Sequence, residues 1–221
     1  FKDIRGNLYL GSNAHVFADD VTRKPEDVAA RAILQPGAYD GGKLPDDKAA
    51  DYYWHAVIYP EAWASLCPAA RGLAGLYNAF AKLFRAKTRL IPIVKPINHL
   101  DFAVAIPIVD FELRFPDFDS EGHKFVGLLF AGSEKITVVC KAKYILEAGY
   151  EPVDREVHLD VEVGDPVAKS GRTTCFTRGV VTDPSAMIRV FYGRFYALFA
   201  DVVICGMRCE GGDSGSSVWL L

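Results

Sequence analysis

One serine near the C-terminal end stands in a segment suited to nucleophilic chemistry. The segment reads Glu-Gly-Gly-Asp-Ser-Gly over residues 210–215, and Ser214 lies between an acidic residue and a glycine. Gly212 can adopt backbone conformations closed to other residues, so its N–H and that of Ser214 can point to the same side of a tight turn. Two such amides beside a hydroxyl would form an oxyanion hole. The alternative is a glycine-rich hairpin loop without chemistry.

A serine hydroxyl is a weak nucleophile unless a base takes its proton and an acid orients that base. His15 directly follows a predicted strand at residues 7–10, and Asp101 begins another at residues 102–106. We therefore expect His15 to be the general base, Asp101 its orienting acid and Ser214 the nucleophile.

Other residues could compete for these roles. His99 lies two residues before Asp101 and would share its face of a strand, so it is the rival base. His55, His123 and His158 lack a comparable context. Asp213 adjoins Ser214 but would point away from its hydroxyl, which favours a role in bracing the loop.

The elements that position these residues are predicted to be strands. Runs rich in β-branched and aromatic residues alternate with turn signals at residues 7–10, 102–106, 125–130, 136–139, 179–181 and 188–192. This spacing predicts an all-β sandwich or barrel rather than βαβ units.

Two segments have helical patterns instead. An apolar stripe recurs at helical spacing through Leu73, Leu76, Tyr77, Phe80, Leu83 and Phe84. We expect this helix to be an insertion at about residues 60–88 whose stripe packs on a barrel, with a partner-binding surface as the alternative. A short helix over residues 141–147, ended by Gly149, is also expected.

The composition excludes several classes of protein. The 221 residues are 50% hydrophobic and 24% charged, which is globular and not disordered. With 25 Lys and Arg against 28 Asp and Glu, the net charge of −3 argues against a nucleic-acid partner. No apolar run is long enough to span a bilayer, so no membrane partner is expected. No secretory signal is visible, and free cysteines favour the cytoplasm.

The five cysteines do not suggest a metal centre or a disulfide framework. Their number is odd, and no pair has the CxxC spacing of a zinc site. Buried free thiols are the simpler interpretation, with one optional disulfide through Cys209.

The order of these motifs resembles that of trypsin/chymotrypsin-like serine peptidases, particularly bacterial and archaeal members without the zymogen apparatus. Residues 35–42 and 169–179 strengthen the resemblance. The second segment is similar to a Gly-Arg-Thr-Thr-Gly run, although Cys175 replaces the final glycine.

This resemblance implies a fold of two antiparallel six-stranded β-barrels with the site in the cleft between them. It implies peptide-bond hydrolysis through an acyl-enzyme, with His15, Asp101 and Ser214 as the triad and the amides of Gly212 and Ser214 as the oxyanion hole. The substrate would be a peptide or protein, and no metal or organic cofactor is implied.

The chain departs from the family's order around the nucleophile. Members continue past the serine into a hairpin, a pocket-lining strand and a helix, and a segment with this pattern stands here at residues 118–152. We therefore expect a circular permutation of the second barrel, with a first barrel at residues 1–116 and a second at 117–221. The alternative is an unrelated insertion in a truncated barrel.

If the permutation is correct, Phe130, Ala131 and Gly132 supply the backbone edge that pairs with an extended substrate. Arg208, six residues before Ser214, stands near the floor of the specificity pocket in similar enzymes and would favour an acidic substrate side chain. The alternative is that Arg208 faces solvent or pairs with Glu210.

Two further functions stay open at this point. A catalytically inactive pseudoprotease could bind peptides or act as a scaffold, and the same constellation would also cleave small esters. The oligomeric state is not determined by the sequence.

Overall fold

The computed structural model describes residues 1–61, 63–64, 67–84, 90–94, 96–110 and 122–221, with residues 63–64 and 93–94 described by their backbone. Strands predominate in this part of the chain, and nearly all of their pairings are antiparallel. The all-β expectation is therefore confirmed in its general form.

The N-terminal half carries β1 (Lys2–Asp3), β2 (Leu10–Ser12), β3 (Ala32–Leu34), β4 (Lys48–His55), β5 (Trp63–Ala64), β6 (Ile93–Val94), β7 (Ile97–Asn98) and β8 (Ala103–Pro107). The C-terminal half carries β9 (Lys124–Ser133), β10 (Ile136–Lys141), β11 (Tyr150–Glu151), β12 (Pro166–Gly171), β13 (Cys175–Phe191), β14 (Tyr196–Cys205) and β15 (Ser217–Leu220). The helices are α1 (Ala14–Phe17), α2 (Pro68–Leu83) and α3 (Ala142–Glu147), with 3₁₀ turns at Pro25–Asp27 and Ala38–Asp40.

Six strands of the C-terminal half form a closed ring. Their order is β10-β9-β15-β12-β13-β14, and β14 pairs with β10 to close it. Closure removes the unpaired edges that an open sheet would expose. The interior is filled by apolar side chains that include Val126, Leu129, Val139, Val167, Val203 and Val218.

The N-terminal half forms a smaller sheet of four strands in the order β2-β8-β4-β3. The short pairs β1–β11 and β5–β6 lie outside it, and β7 adds in parallel to β14 of the ring. The expected pair of six-stranded barrels is not confirmed, because only the C-terminal half closes a six-stranded ring within the described residues.

The predicted strands at residues 102–106, 125–130 and 136–139 are confirmed as β8, β9 and β10, and the short predicted helix as α3. The runs at residues 179–181 and 188–192 belong to the single strand β13. The pairing with β14 shifts register between Val181 and Ile188, so the strand passes through Asp183 and Pro184 as bulges.

The helix α2 has the predicted position but the opposite orientation. Its buried side is made of small residues, Ala74 and Ala81, whereas the large apolar side chains of the stripe are exposed. The expectation that the stripe packs into the core is therefore wrong. No helix in the described ranges combines the length and hydropathy needed to cross a bilayer.

Candidate active site

Asp101 is a fully buried carboxylate at the start of β8. Its Oδ1 accepts a hydrogen bond from the Ala14 backbone N–H at 2.6 Å, and its Oδ2 accepts one from the Tyr192 hydroxyl at 2.8 Å. The same Oδ2 lies 2.6 Å from Nδ1 of His15. These partners matter because an unpaired buried charge would be costly. Asn13 also donates from Nδ2 to the Asp101 carbonyl oxygen, at 2.8 Å, which fixes this peptide.

The pairing of β2 with β8 brings His15 to Asp101. Ser12 pairs with Ala103, and α1 begins two residues after Ser12, so its first turn packs over the start of β8. Burial acts to lower the pKa of His15, but the hydrogen bond and the charge of Asp101 outweigh burial and raise it above 6.5. Nδ1 is occupied by Asp101, which leaves Nε2 as the nitrogen available for proton transfer.

Ser214 lies in a tight loop between two glycines in the left-handed region, Gly212 at φ +100° and Gly215 at φ +87°. A Cβ on Gly212 would stand 2.5 Å from Oγ1 of Thr173 and 2.8 Å from a guanidinium nitrogen of Arg172, so a larger residue would have to displace these side chains. Among the described residues, no acceptor takes a hydrogen bond from the N–H of Gly212 or of Ser214. Two free donors on either side of Asp213 suit an anionic oxygen.

Asp213 holds the loop in place through a buried ion pair and several hydrogen bonds. It is fully buried and lies with Oδ2 3.1 Å from Nζ of the equally buried Lys169. The side chain also accepts hydrogen bonds from the Thr174 hydroxyl at 2.7 Å, from the Thr173 amide at 2.8 Å and from the Glu210 amide at 3.1 Å. Burial acts to raise the pKa of Asp213, but these hydrogen bonds outweigh it and hold the pKa at about 2.

Two clefts meet at His15 and Ser214, which line both of them. One, the apolar cleft, has a volume of about 770 Å³ and is walled mainly by side chains of β9, β10 and β13. The other, the wide cleft, has a volume of about 1650 Å³ and is walled by residues 30–40, Arg172 and Thr173. No hydrogen bond joins the Ser214 hydroxyl to His15 within the described part of the chain.

The backbone of β9 forms one wall of the apolar cleft. Pairing between β15 and β9 ends at Ser217 and Leu128, and two further hydrogen bonds join the chain before β15 to Leu129. On the opposite side β10 continues to pair as far as Ser133. Phe130, Ala131 and Gly132 therefore line the cleft at the point where one edge of β9 has lost its neighbour.

The structure does not place Arg208 in either cleft. Its side chain is largely exposed and is ion-paired with Glu210, whose Oε1 lies 3.0 Å from the Arg208 Nε. The other four histidines do not line the clefts either. His99 is held elsewhere, because its Nδ1 lies 3.0 Å from the Ala200 carbonyl oxygen and its ring stacks on Tyr144.

The two segments that strengthened the family resemblance contact each other across the wide cleft. Arg172 forms an ion pair with Asp40, with Nε 2.7 Å from Oδ2, and its guanidinium stacks over the Tyr39 ring at 4.6 Å. This pair joins the residue 35–42 loop to the end of β12, beside the loop that holds Ser214.

Sequence reasoning missed two residues of this site. Tyr192 belongs to a predicted strand run, and nothing in its sequence context indicates a contact with Asp101, 91 positions away. Lys169 stands 44 positions before Asp213 in an ordinary strand. A lysine predicted to point into a barrel would have been the one available signal, because a buried lysine needs a carboxylate partner.

Within the described ranges no group of three or more His, Cys, Asp or Glu is placed to hold a metal ion, and Cys140, Cys175, Cys205 and Cys209 are free thiols. Comparison with known protein families, with curated proteins and with solved structures finds no match to this chain.

Proposed function

We propose that this protein is a serine endopeptidase that cleaves peptide bonds through an acyl-enzyme. The single observation that carries the proposal is the contact of His15 with buried Asp101 at 2.6 Å, at the junction of two clefts that Ser214 also lines. A hydroxyl, an imidazole and a carboxylate with those surroundings are the groups that acyl transfer requires.

Each residue has a role that follows from its chemistry. His15 takes the proton of Ser214 as the hydroxyl attacks the scissile carbonyl, and it returns the proton to the leaving amine. Asp101 keeps Nδ1 protonated and stabilises the imidazolium that forms. The free amides of Gly212 and Ser214 donate to the oxyanion, where charge develops in the transition state.

We further infer a chymotrypsin-like architecture with a permuted second barrel. The ring order β10-β9-β15-β12-β13-β14 supports this, because β9 and β10 precede β12 in the chain yet complete the ring between β15 and β14. We correspondingly propose that the N-terminal sheet belongs to a first barrel over residues 1–116, which contains His15 and Asp101.

The substrate proposed is an extended peptide paired with the backbone of Phe130, Ala131 and Gly132. Backbone pairing of this kind adds a strand to an open sheet edge and depends little on the substrate's side chains. The walls of the apolar cleft include Ile136, Val138, Ile188 and Val190, which favours apolar side chains on the acyl side of the scissile bond. We propose no preference for acidic substrate side chains, because Arg208 is ion-paired with Glu210.

The second candidate is a peptide-binding pseudoprotease. The missing hydrogen bond between Ser214 and His15 favours it, since small misplacements of a nucleophile can abolish turnover. Catalytic hydrogen bonds are often long in a free enzyme and tighten when substrate binds, so an experiment is needed to separate the two candidates.

The experiment is covalent labelling of the folded protein with a fluorophosphonate, followed by intact mass and peptide mapping. The enzyme reacts once, at Ser214, and the Ser214→Ala and His15→Ala variants do not react. Ser217→Ala is the matched control, a neighbouring serine in β15, and it labels like the original protein. An unlabelled original protein with native circular dichroism favours the pseudoprotease. Labelling that survives in Ser214→Ala contradicts the assignment of the nucleophile.

A further inference from the structure

The helix α2 presents an apolar face to solvent. Six side chains at helical spacing are between 44% and 77% exposed: Leu73, Leu76, Tyr77, Phe80, Leu83 and, just past the helix end, Phe84. Leu90 and Ile91, on the returning chain, are also exposed. A contiguous apolar surface of this kind on a globular protein marks a contact with something else.

The arrangement of small and large residues shows that this exposure is built into the helix. Ala74 and Ala81 lie on the buried side, where their size allows close approach. Asn78 donates to the Leu90 carbonyl oxygen and accepts from the Leu90 N–H, both at 2.8 Å, which ties the returning chain to the same helix. At both ends of the insertion the chain is paired, through β5 and β6. The large apolar side chains therefore remain available.

The charges around the helix select the class of partner. Residues 62–100 contain six Lys and Arg and no Asp or Glu, which leaves 19 Lys and Arg against 28 Asp and Glu in the rest of the chain. Two of the six, Arg71 and Lys82, lie on α2, are exposed, and form no ion pair with another described residue. A cationic segment on an otherwise acidic protein points to an anionic partner.

We propose that α2 is a docking surface for an anionic lipid bilayer and lies in the plane of its interface. A helix of 16 residues is about 24 Å long, and an apolar face rich in Leu, Phe and Tyr with Arg and Lys on the opposite, polar face is the composition of interfacial helices. The apolar side chains enter the headgroup boundary while the cations contact lipid phosphates or carboxylates. This proposal departs from the expectation of no membrane partner and is independent of the proposed peptidase activity.

The test is flotation of the full chain with vesicles of phosphatidylcholine alone or of an equimolar mixture with phosphatidylglycerol. We expect at least ~10-fold stronger partitioning to the anionic vesicles, weakened by added salt because exposed charges are screened. Equal binding to both kinds of vesicle, or binding to neither, would overturn the proposal.

Variants assign the binding to α2. Leu76→Gln/Phe80→Gln should lower partitioning at least ~10-fold, because two apolar side chains no longer enter the bilayer. Its matched control is Ile4→Gln/Val163→Gln, which changes two exposed apolar residues outside the helix and should bind normally. Arg71→Gln/Lys82→Gln should weaken binding to anionic vesicles, whereas Arg5→Gln/Lys24→Gln should not. Unchanged partitioning in the α2 variants contradicts the assignment.

Other occupants of the surface give different results. Dimerisation that Leu76→Gln/Phe80→Gln abolishes, without vesicle binding, would identify a second copy of the chain. A gel shift with RNA in place of vesicle binding would identify a nucleic acid, and either result overturns the proposal. Circular dichroism and thermal unfolding of every variant establish that the fold is retained. Ser214→Ala should bind vesicles normally, so failure of the peptidase proposal stays distinguishable.

Discussion

Replacement of Lys169 by methionine tests whether the buried ion pair with Asp213 holds the loop that carries Ser214. Both side chains are fully buried, and the Lys169 Nζ also donates to the Thr174 hydroxyl at 2.6 Å. Methionine keeps a similar length and apolar stem but removes the charge. Asp213 then remains buried with its hydrogen bonds and without a cation.

Removal of one partner from a buried pair costs about 3–5 kcal/mol, since the remaining charge is left uncompensated. Asp213 keeps donors from Thr173, Thr174 and Glu210, so we expect the lower end of that range, a loss of about 3 kcal/mol in the free energy of unfolding. For a chain of this size this corresponds to a fall in Tm of about 6–12 °C. Loosening the loop should also reduce kcat by about 10²-fold, as the loss of one oxyanion donor does.

The pH dependence of the same variant has a defined sign. The pKa of Asp213 lies below its ordinary value of 3.8, so its contribution to stability is present above pH 3.8 and is lost as the pH falls toward about 2. A cation 3.1 Å away also favours the ionised carboxylate, so we expect removal of Lys169 to raise this pKa and acid unfolding to begin at a higher pH.

The assays are urea unfolding followed by fluorescence and steady-state hydrolysis of a peptide substrate. Lys124→Met is the matched control, because Lys124 pairs with Glu156 at 3.1 Å on the surface and should cost less than about 1 kcal/mol. In the double variant Lys169→Met/Asp213→Asn no buried charge remains, so the loss should be smaller than the sum of the single losses. A Lys169→Met protein within about 1 kcal/mol of the original, with unchanged kcat, would refute the role of the pair.

Three further predictions concern the residues around Ser214. The pKa of His15 is raised, so kcat/KM should rise with pH and reach half of its maximum above pH 6.5, because the neutral imidazole is the base. Asp101→Asn should lower this midpoint and lower kcat by about 10⁴-fold. An unchanged midpoint would show that His15 is not the group that titrates. Tyr192→Phe removes a hydrogen-bond donor to the buried Asp101 carboxylate and should lower the free energy of unfolding in urea by about 1.5–3 kcal/mol. It should also shift the midpoint of the kcat/KM profile to higher pH. The exposed control Tyr53→Phe should change neither quantity. Gly212→Ala places a Cβ against Thr173 at a positive φ and should slow fluorophosphonate labelling about 10²–10³-fold. Labelling at the original rate would contradict the assignment of the Gly212 amide to the oxyanion hole.

Local patterns in the sequence predicted several of the strands and indicated the candidate chemistry. The runs rich in β-branched and aromatic residues at β8, β9 and β10 and the helical pattern of α3 follow from the side chains within each segment. The glycines around Ser214 predicted a tight turn, because few other residues adopt a positive φ. The sequence also contained the apolar stripe of α2, although not the side of the helix that faces solvent.

Only the tertiary structure decided which distant residues meet. The pairing of β2 with β8 brings His15 to Asp101, and closure of the ring brings Lys169 under Asp213 and β9 beside β15. Tyr192 reaches Asp101 only because β13 extends far enough past the ring to reach the N-terminal sheet. These contacts depend on strand order and register, which are set by how whole segments pack together. The residues of a single segment do not determine which other segments will lie beside it.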